Sequence, residues 1–139
     1  MQEAENTKIV QEAYAAFGRA DIPGVLATLA DNVQWKPVNG ASRQVPMAGE
    51  RRDKAGVAEF FTLVGTHVQF SRFEPREFVA QGDKVVTLGH YTAKTSAGGS
   101  FDSDFVMVFT VKGGKIVAFQ EFLDSAALNA AYEPAVARV

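Results

Sequence analysis

The spacing of apolar residues changes along the chain from a helical period to strict alternation. Near the N-terminus, apolar side chains recur at steps of three and four residues, at Ile9, Val10, Ala13, Phe17 and Ala20. This spacing predicts an amphipathic α-helix whose outward positions include acidic residues. The chain therefore begins with a helix whose apolar face needs a partner.

Shorter elements are predicted between this helix and the alternating region. Asp21 has the character of an N-cap, with Pro23 in the first turn of a short helix. A brief strand at 33–36 ends at Pro37, and a loop-like segment follows. Asp53 is a candidate cap for a further amphipathic helix, whose apolar stripe comprises Val57, Phe60, Phe61 and Val64.

The alternating region predicts four strands, at about 68–80, 83–95, 100–111 and 115–123. Gly-containing segments that are typical of hairpin turns separate them. A last short helix is predicted at about 125–132. Helices followed by an antiparallel meander define the α+β class. We expect one domain over residues 1–139: a cone-shaped, curved antiparallel sheet with the N-terminal helices packed over one face.

Composition narrows the classes of function. The 139 residues are 47% hydrophobic and include eleven Phe, enough for one domain with a substantial core. Lys and Arg total 14 against 16 acidic residues, without a long basic run, so we expect no nucleic-acid partner. No apolar run approaches the roughly 20 residues of a membrane span, and the acidic N-terminus is unlike a secretory signal. We therefore expect no membrane partner and a cytoplasmic protein.

The sequence does not point to a metal or another cofactor. It contains no Cys and two His, so thiolate sites are excluded and a zinc site built on imidazole is not expected. No acidic loop with the spacing of calcium ligands is visible. We expect neither a metal nor any other cofactor.

Two stretches of the chain resemble a known family. The first runs from Tyr14 to Trp35, and the second, from Val108 to Asp124, forms the predicted last hairpin. They resemble SnoaL-like domains of the NTF2-like superfamily, which is related to ketosteroid isomerases, over about residues 5–131. The resemblance implies helices that close over a bent sheet and enclose a pocket for a small apolar molecule. Family members include isomerases, polyketide cyclases, epoxide hydrolases, dehydratases and non-catalytic domains, and they often dimerise through the outer sheet face.

The register of the last hairpin decides which side chains face that pocket. A three-residue loop at 112–114, with Gly114 in the left-handed conformation, pairs Phe105 with Glu121. A two-residue turn would shift the pairing by one and place Glu121 on a face with Asp104 instead. We expect the three-residue loop. The face toward the pocket then carries Phe101, Phe105, Met107, Phe109, Phe119, Glu121 and Leu123.

Two side chains are candidates for acid–base catalysis. Glu121 is predicted among phenyl rings, where desolvation would raise the pKa of its carboxyl and suit it to proton transfer. An acid at this point does that work in the polyketide cyclases that the chain resembles. If residues 97–98 form the centre of the preceding hairpin, His90 faces Phe105 and lies ~10 Å from Glu121 in the same pocket. The alternatives for Glu121 are a side chain that reaches solvent at the strand end or one that accepts hydrogen bonds from the first helix. The alternatives for His90 are a place in the core or on the outer face of the sheet.

The same face and the helices above it define a pocket lining. It comprises Tyr14, Trp35, Phe60, Phe101, Phe105, Met107, Phe109, Phe119 and Leu123. Tyr14 and Trp35 either bring polar tips to the pocket or simply pack between helix and sheet. On the opposite face, Val106, Val108 and Phe122 would form an exposed apolar patch on a monomer, so we expect a homodimer through that face.

The chain departs from the enzymes that it resembles. By residue count, the Tyr, the Asp and the protonated acid that ketosteroid isomerases use correspond to Ala13, to Lys36 or Pro37, and to Met107. No Arg-x-Asp pair of the epoxide hydrolases falls in a predicted strand. We therefore expect cofactor-free isomerisation, cyclisation, dehydration or hydrolysis of an apolar or polycyclic substrate. A non-catalytic ligand-binding or scaffold domain is the alternative, and a module that binds another protein is a third.

Overall fold

The computed structural model describes residues 2–133. Its elements in chain order are α1 (Gln2–Gly18), α2 (Ile22–Ala27), β1 (Leu29–Lys36), α3 (Lys54–His67), β2 (Val68–Gln81), β3 (Lys84–Thr95), β4 (Ser100–Lys112), β5 (Lys115–Leu123) and α4 (Ser125–Ala131). Asp21, Asp53 and Asp124 each accept a hydrogen bond from the backbone N–H three residues later. The starts of α2, α3 and α4 are therefore set by short side-chain acceptors. None of the described helices is long and apolar enough to cross a membrane.

The five strands form one curved sheet in the order β1-β5-β4-β3-β2. Strands β2 to β5 pair antiparallel, whereas β1 lies parallel to β5, so the sheet is mixed. Periodicity did not indicate this parallel edge, because the partner of β1 is some 80 residues away in sequence. Helix α1 contacts β2, β3 and β5, and α3 contacts β1 and β2. The predicted α+β cone, with helices over one face of a curved sheet, is confirmed.

Irregularities in β2 and a glycine in β3 produce the concave face. Two bulges interrupt the pairing of β2, between Phe70 and Arg72 and between Pro75 and Glu77, and each bends the strand. A Cβ on Gly89 would lie 2.4 Å from both the Glu74 carbonyl oxygen and the ring of Phe105. Only glycine allows this close approach of the Phe105 ring to the bent strand.

The turn between β4 and β5 differs from the prediction. Lys112 pairs with Lys115 across a two-residue turn in which Gly113 and Gly114 both have positive φ. Such a turn is typical of hairpins because its twist matches that of the flanking strands. The predicted three-residue loop is therefore wrong.

A bulge next to this turn restores the predicted faces. Thr110 pairs with Ala118 and Val111 with Ile116, which leaves Val117 as an extra residue in β5. The turn shifts the pairing by one residue, and the bulge shifts it by one more. Glu121 therefore keeps its predicted side of the sheet, but its partner is Met107 rather than Phe105.

The turn between β3 and β4 also differs, and here the faces change. Residues 96–98 form a three-residue loop with Gly98 at positive φ, and Lys94 pairs with Ser100. Gly89 therefore lies opposite Phe105, and His90 lies opposite Asp104. The predicted pairing of His90 with Phe105 is wrong, because the loop contains one residue more than expected.

Candidate functional site

An apolar cavity of about 90 Å³ lies between the concave face of the sheet and the helices. Its wall comprises Ala13, Tyr14, Phe17, Val25, Trp35, Phe60, Phe61, Val64, Phe70, Phe73, Tyr91, Met107, Phe109, Phe119 and Glu121. The rings pack closely: Trp35 stacks on Phe119 with 4.0 Å between centroids. The cavity is smaller than the ~150 Å³ space that holds benzene in an engineered protein core. A ligand with even one ring therefore needs side chains of the wall to move, and a polycyclic ligand needs a larger movement.

Glu121 places one carboxyl group in this apolar wall. Its residue is 5% exposed. Oε1 accepts a hydrogen bond from the Val38 backbone N–H at 3.1 Å, and Oε2 accepts one from the Tyr91 hydroxyl at 2.8 Å. Among the described residues, the wall contains no Lys, Arg or His. Burial raises the pKa of Glu121, and the hydrogen bonds from Tyr91 and Val38 oppose that rise only in part.

The backbone after β1 holds Glu121 from two sides. Besides the Val38 N–H, the Asn39 N–H donates to the Glu121 carbonyl oxygen at 3.0 Å. Val38 has a φ of +42°, a left-handed conformation that a β-branched residue rarely adopts. Such an outlier costs about 1–3 kcal/mol and persists only where the surroundings enforce it. The hydrogen bonds to Glu121 are therefore among the contacts that hold Val38 in its strained conformation.

Two buried phenols accompany the carboxyl. Tyr91 donates to Glu121, and Tyr14 donates to the Sδ of Met107 at 3.0 Å. Burial raises the pKa of both hydroxyls, and the nearby Glu121 carboxyl contributes in the same direction. Both phenols therefore remain protonated hydrogen-bond donors at neutral pH.

The structure distributes the predicted site residues between three places. The cavity wall contains Tyr14, Trp35, Phe60, Met107, Phe109, Phe119 and Glu121. Phe101, Phe105 and Leu123 lie outside the wall, which corrects their predicted position. Phe105 packs against Phe73 and Tyr91, two residues of the wall, whose ring centroids lie 5.5 Å and 4.9 Å from its own. Phe101 packs edge-on against Tyr91 in the same layer.

His90 lies on the outer face of the sheet, so its predicted position in the cavity is wrong. Its Nδ1 is 2.9 Å from the Asp104 carboxylate, and its Nε2 contacts Asp102. Asp104 and then Asp102 raise the pKa of His90. The pKa of Asp102 is lowered, first by the Thr92 hydroxyl and then by His90. This imidazole therefore belongs to a surface ion-pair cluster and has no contact with Glu121.

Sequence reasoning missed Tyr91, the hydroxyl partner of Glu121. Adjacent residues of a strand point to opposite faces, so an error of one residue in the β3–β4 loop exchanges His90 for Tyr91. Gly98 was the available signal, because a three-residue hairpin loop takes glycine at its left-handed position. Phe70 and Phe73 were missed because the bulges of β2 interrupt its alternation.

A curved sheet that holds an apolar cavity under its helices defines the NTF2-like class of protein. The model of the SnoaL-like domain family matches residues 10–119, and the chain belongs to that family. The chain is similar to an NTF2-like protein from Burkholderia xenovorans LB400, with 33% identity over 94% of this chain and 98% of that chain and a TM-score of 0.85.

Other solved structures are similar as well. An NTF2-like protein of unknown function from Burkholderia pseudomallei K96243 shows 32% identity over 92% of this chain and 97% of its own, with a TM-score of 0.83. TerC, co-crystallised with polyporic acid, shows 28% identity over 92% and 98% of the two chains, with a TM-score of 0.79. A search of curated proteins finds no match.

Proposed function

We propose that this protein binds an uncharged, apolar small molecule and moves a proton on it without a cofactor, with Glu121 as the acid or base. The observation that carries the proposal is a fully buried carboxyl in an apolar wall, held by two neutral donors. Perturbed carboxyls in cavities are more often functional than surface ones. The similarity to TerC, which was co-crystallised with polyporic acid, also favours a small-molecule ligand.

The environment of Glu121 suits it to both directions of proton transfer. A carboxyl whose pKa is raised toward neutrality is a stronger base when ionised and is more often protonated when an acid is needed. Tyr91 holds Oε2 and Val38 holds Oε1, so the carboxyl plane has a fixed orientation toward the cavity. His90 has no part in this proposal, because it lies on the other face of the sheet.

The base role is tested with 1,2-benzisoxazole, an apolar probe of two small fused rings, which reaches Glu121 only if wall side chains move. A base removes the C3 proton, the N–O bond breaks, and 2-cyanophenol is released as its phenolate. We expect Glu121→Gln to lower the protein-dependent rate by about 100-fold or more. The exposed Glu77 in β2 offers a matched control, and Glu77→Gln should leave the rate unchanged.

The pH profile and a binding measurement separate the possible outcomes. The rate should rise with pH through the raised pKa of Glu121, because the ionised carboxyl is the base. Equal rates for the wild-type protein and Glu121→Gln would contradict the catalytic role. If the probe quenches Trp35 fluorescence but is not converted, the protein is a non-catalytic ligand-binding protein, the alternative function. Absence of binding would contradict both.

We also propose that two copies associate through the outer face of the sheet. An apolar stripe crosses four strands there: Val79, Val86, Leu88, Val106, Val108 and Phe122, with Val86 opposite Val108 and Val106 opposite Phe122. Phe122 is 43% exposed. Light scattering should show a dimer that Phe122→Asp dissociates, whereas Thr62→Asp, on the exposed side of α3, should not. A monomeric wild-type protein would contradict the proposal.

A further inference from the structure

Trp35 lines the cavity and carries a buried N–H group without a hydrogen-bond partner among residues 2–133. The residue is 4% exposed, and its Nε1 makes no hydrogen bond. Within residues 2–133, the Thr87 hydroxyl is the other buried side-chain polar atom without a partner, and Thr87 does not line the cavity. Buried donors without partners are rare in native proteins. The indole N–H is therefore a group that a ligand can satisfy.

Packing and pairing restrict the indole ring. The backbone N–H and C=O of Trp35 form hydrogen bonds with Arg51 at 2.7 Å and 2.8 Å. The ring stacks on Phe119 with 4.0 Å between centroids, and the centroid of the Phe60 ring lies 5.8 Å away. A ligand that pairs with the indole N–H must therefore bring its acceptor to a donor that has little freedom to move.

The other polar groups of the wall already have partners. The Tyr91 hydroxyl donates to Glu121, and the Tyr14 hydroxyl donates to Met107. With no cationic side chain among the described wall residues, a charged anion would remain uncompensated there, at a high desolvation cost. The wall around these groups consists mainly of aromatic rings, which pack well against a flat ring.

From these observations we infer that Trp35 determines ligand specificity. Its N–H selects an uncharged, single-ring aromatic compound that carries a carbonyl oxygen as acceptor, in preference to a hydrocarbon of the same shape. Because about 90 Å³ is below the ~150 Å³ that holds benzene, one ring already needs wall side chains to move, and we infer a ligand of no more than one ring. The inference rests on the proposed function only in taking the cavity as the ligand site, and it does not depend on proton transfer by Glu121.

A pair of probes isolates the acceptor. Acetophenone and α-methylstyrene have nearly the same planar shape, but the first carries C=O where the second carries C=CH₂. The chain has one Trp, so a ¹⁵N-labelled sample gives one indole N–H resonance, which belongs to Trp35. We expect acetophenone to shift the indole proton downfield and to bind about threefold to tenfold more tightly than α-methylstyrene, which is the range for one net hydrogen bond.

A substitution tests the same donor by a second route. Trp35→Phe removes the N–H and keeps an aromatic ring, so the affinity ratio of the two probes should fall to about one. Phe60→Leu, at another ring of the wall, is the matched control: it changes cavity volume for both probes and should preserve their ratio. The resonance shift in the wild-type protein remains decisive if Trp35→Phe does not fold.

Each outcome bears on a different conclusion. Equal affinities with an unmoved indole resonance would overturn the role of Trp35 while leaving the proton-transfer test of Glu121 untouched. A preserved preference in Trp35→Phe would overturn it too. Failure of both probes to bind at millimolar concentration would overturn the ligand class inferred for the cavity. A clear preference together with an inert Glu121 would support Trp35 and contradict the acid–base function.

Discussion

The two faces of the sheet place their ionisable groups in different environments. On the inner face, Glu121 has neutral partners and is buried, and burial raises its pKa. On the outer face, His90 lies between Asp104 and Asp102, and these carboxylates raise its pKa. Both shifts favour the protonated form, but the shift of Glu121 arises from burial, whereas that of His90 arises mainly from hydrogen bonds to the two carboxylates.

The two groups differ in the energetic cost of their charged forms. Ionised Glu121 would be shielded from solvent, with no cationic side chain among the described residues of the cavity wall, so the folded protein resists its deprotonation. Protonated His90 has two carboxylates and access to water, so its charge costs little. The buried group is therefore expected to be reactive and pH-sensitive, and the exposed cluster is expected to contribute little to stability. Three measurements test this contrast.

The largest effect is expected from Tyr91→Phe. The substitution removes the hydroxyl that donates to Glu121 Oε2 and leaves a buried carboxyl oxygen unpaired. We expect a loss of about 1–3 kcal/mol in the free energy of unfolding, and a further rise in the pKa of Glu121. Urea unfolding at pH 7 measures the first. An unchanged free energy of unfolding would mean that water replaces the hydroxyl and that the site is less dry than the structure indicates.

A smaller effect, with a definite sign, is expected from Glu121→Gln. Because the pKa of Glu121 is raised above the usual value of 4.5, the folded state binds the proton more tightly than the unfolded state does. The contribution of Glu121 to the free energy of unfolding is therefore complete at low pH and is lost as the pH rises through its folded-state pKa. The Gln variant lacks that loss, so it should be more stable than the wild type at pH 8 and equally stable at pH 4.

Urea unfolding at both pH values measures this difference. A Gln variant less stable than the wild type at pH 8 would show that the ionised carboxyl is well solvated or paired. That result would also remove the main argument for its reactivity.

The smallest effect is expected from His90→Gln. The raised pKa of His90 means that its contribution is complete below the unfolded-state pKa and is lost as the pH rises through the folded-state pKa. The midpoint of urea unfolding should fall slightly at pH 6 and stay unchanged at pH 9. Added salt should remove the difference, because the cluster is exposed. An effect larger than that of Tyr91→Phe would reverse the proposed contrast between the faces.

The two hairpins that include β4 show which features of the sheet could be predicted from the sequence. The strand bounds were predicted well because alternation and glycine signals are local. The turn types were assigned the wrong way round: the three-residue loop is at 96–98 and the two-residue turn is at Gly113–Gly114. Both segments contain Gly-Gly, and the local sequence does not show how many residues of each loop remain unpaired. The number of unpaired residues decides which face of the sheet each side chain lies on, so the faces were less predictable than the strand bounds.

The two candidate catalytic residues had different outcomes for this reason. Glu121 was assigned to the correct face because the bulge at Val117 compensated for the wrong turn. His90 had no such compensation, and its neighbour Tyr91 takes the inward position. The strained Val38, which holds the carboxyl, lies in a loop that no periodicity describes. The cavity wall was predictable in its aromatic character but not in its hydrogen bonds.

The bulge at Val117 marks a position at which β5 can lose one residue without a change in the pairing of Glu121. The register on either side of that residue is the same as in a regular strand one residue shorter. A deletion of Val117 would therefore keep Glu121 opposite Met107, whereas a deletion within 105–109 of β4 would reverse the faces of the two strands relative to each other. Relatives that differ in length by one residue in β5 can retain the same cavity if the difference falls at this bulge.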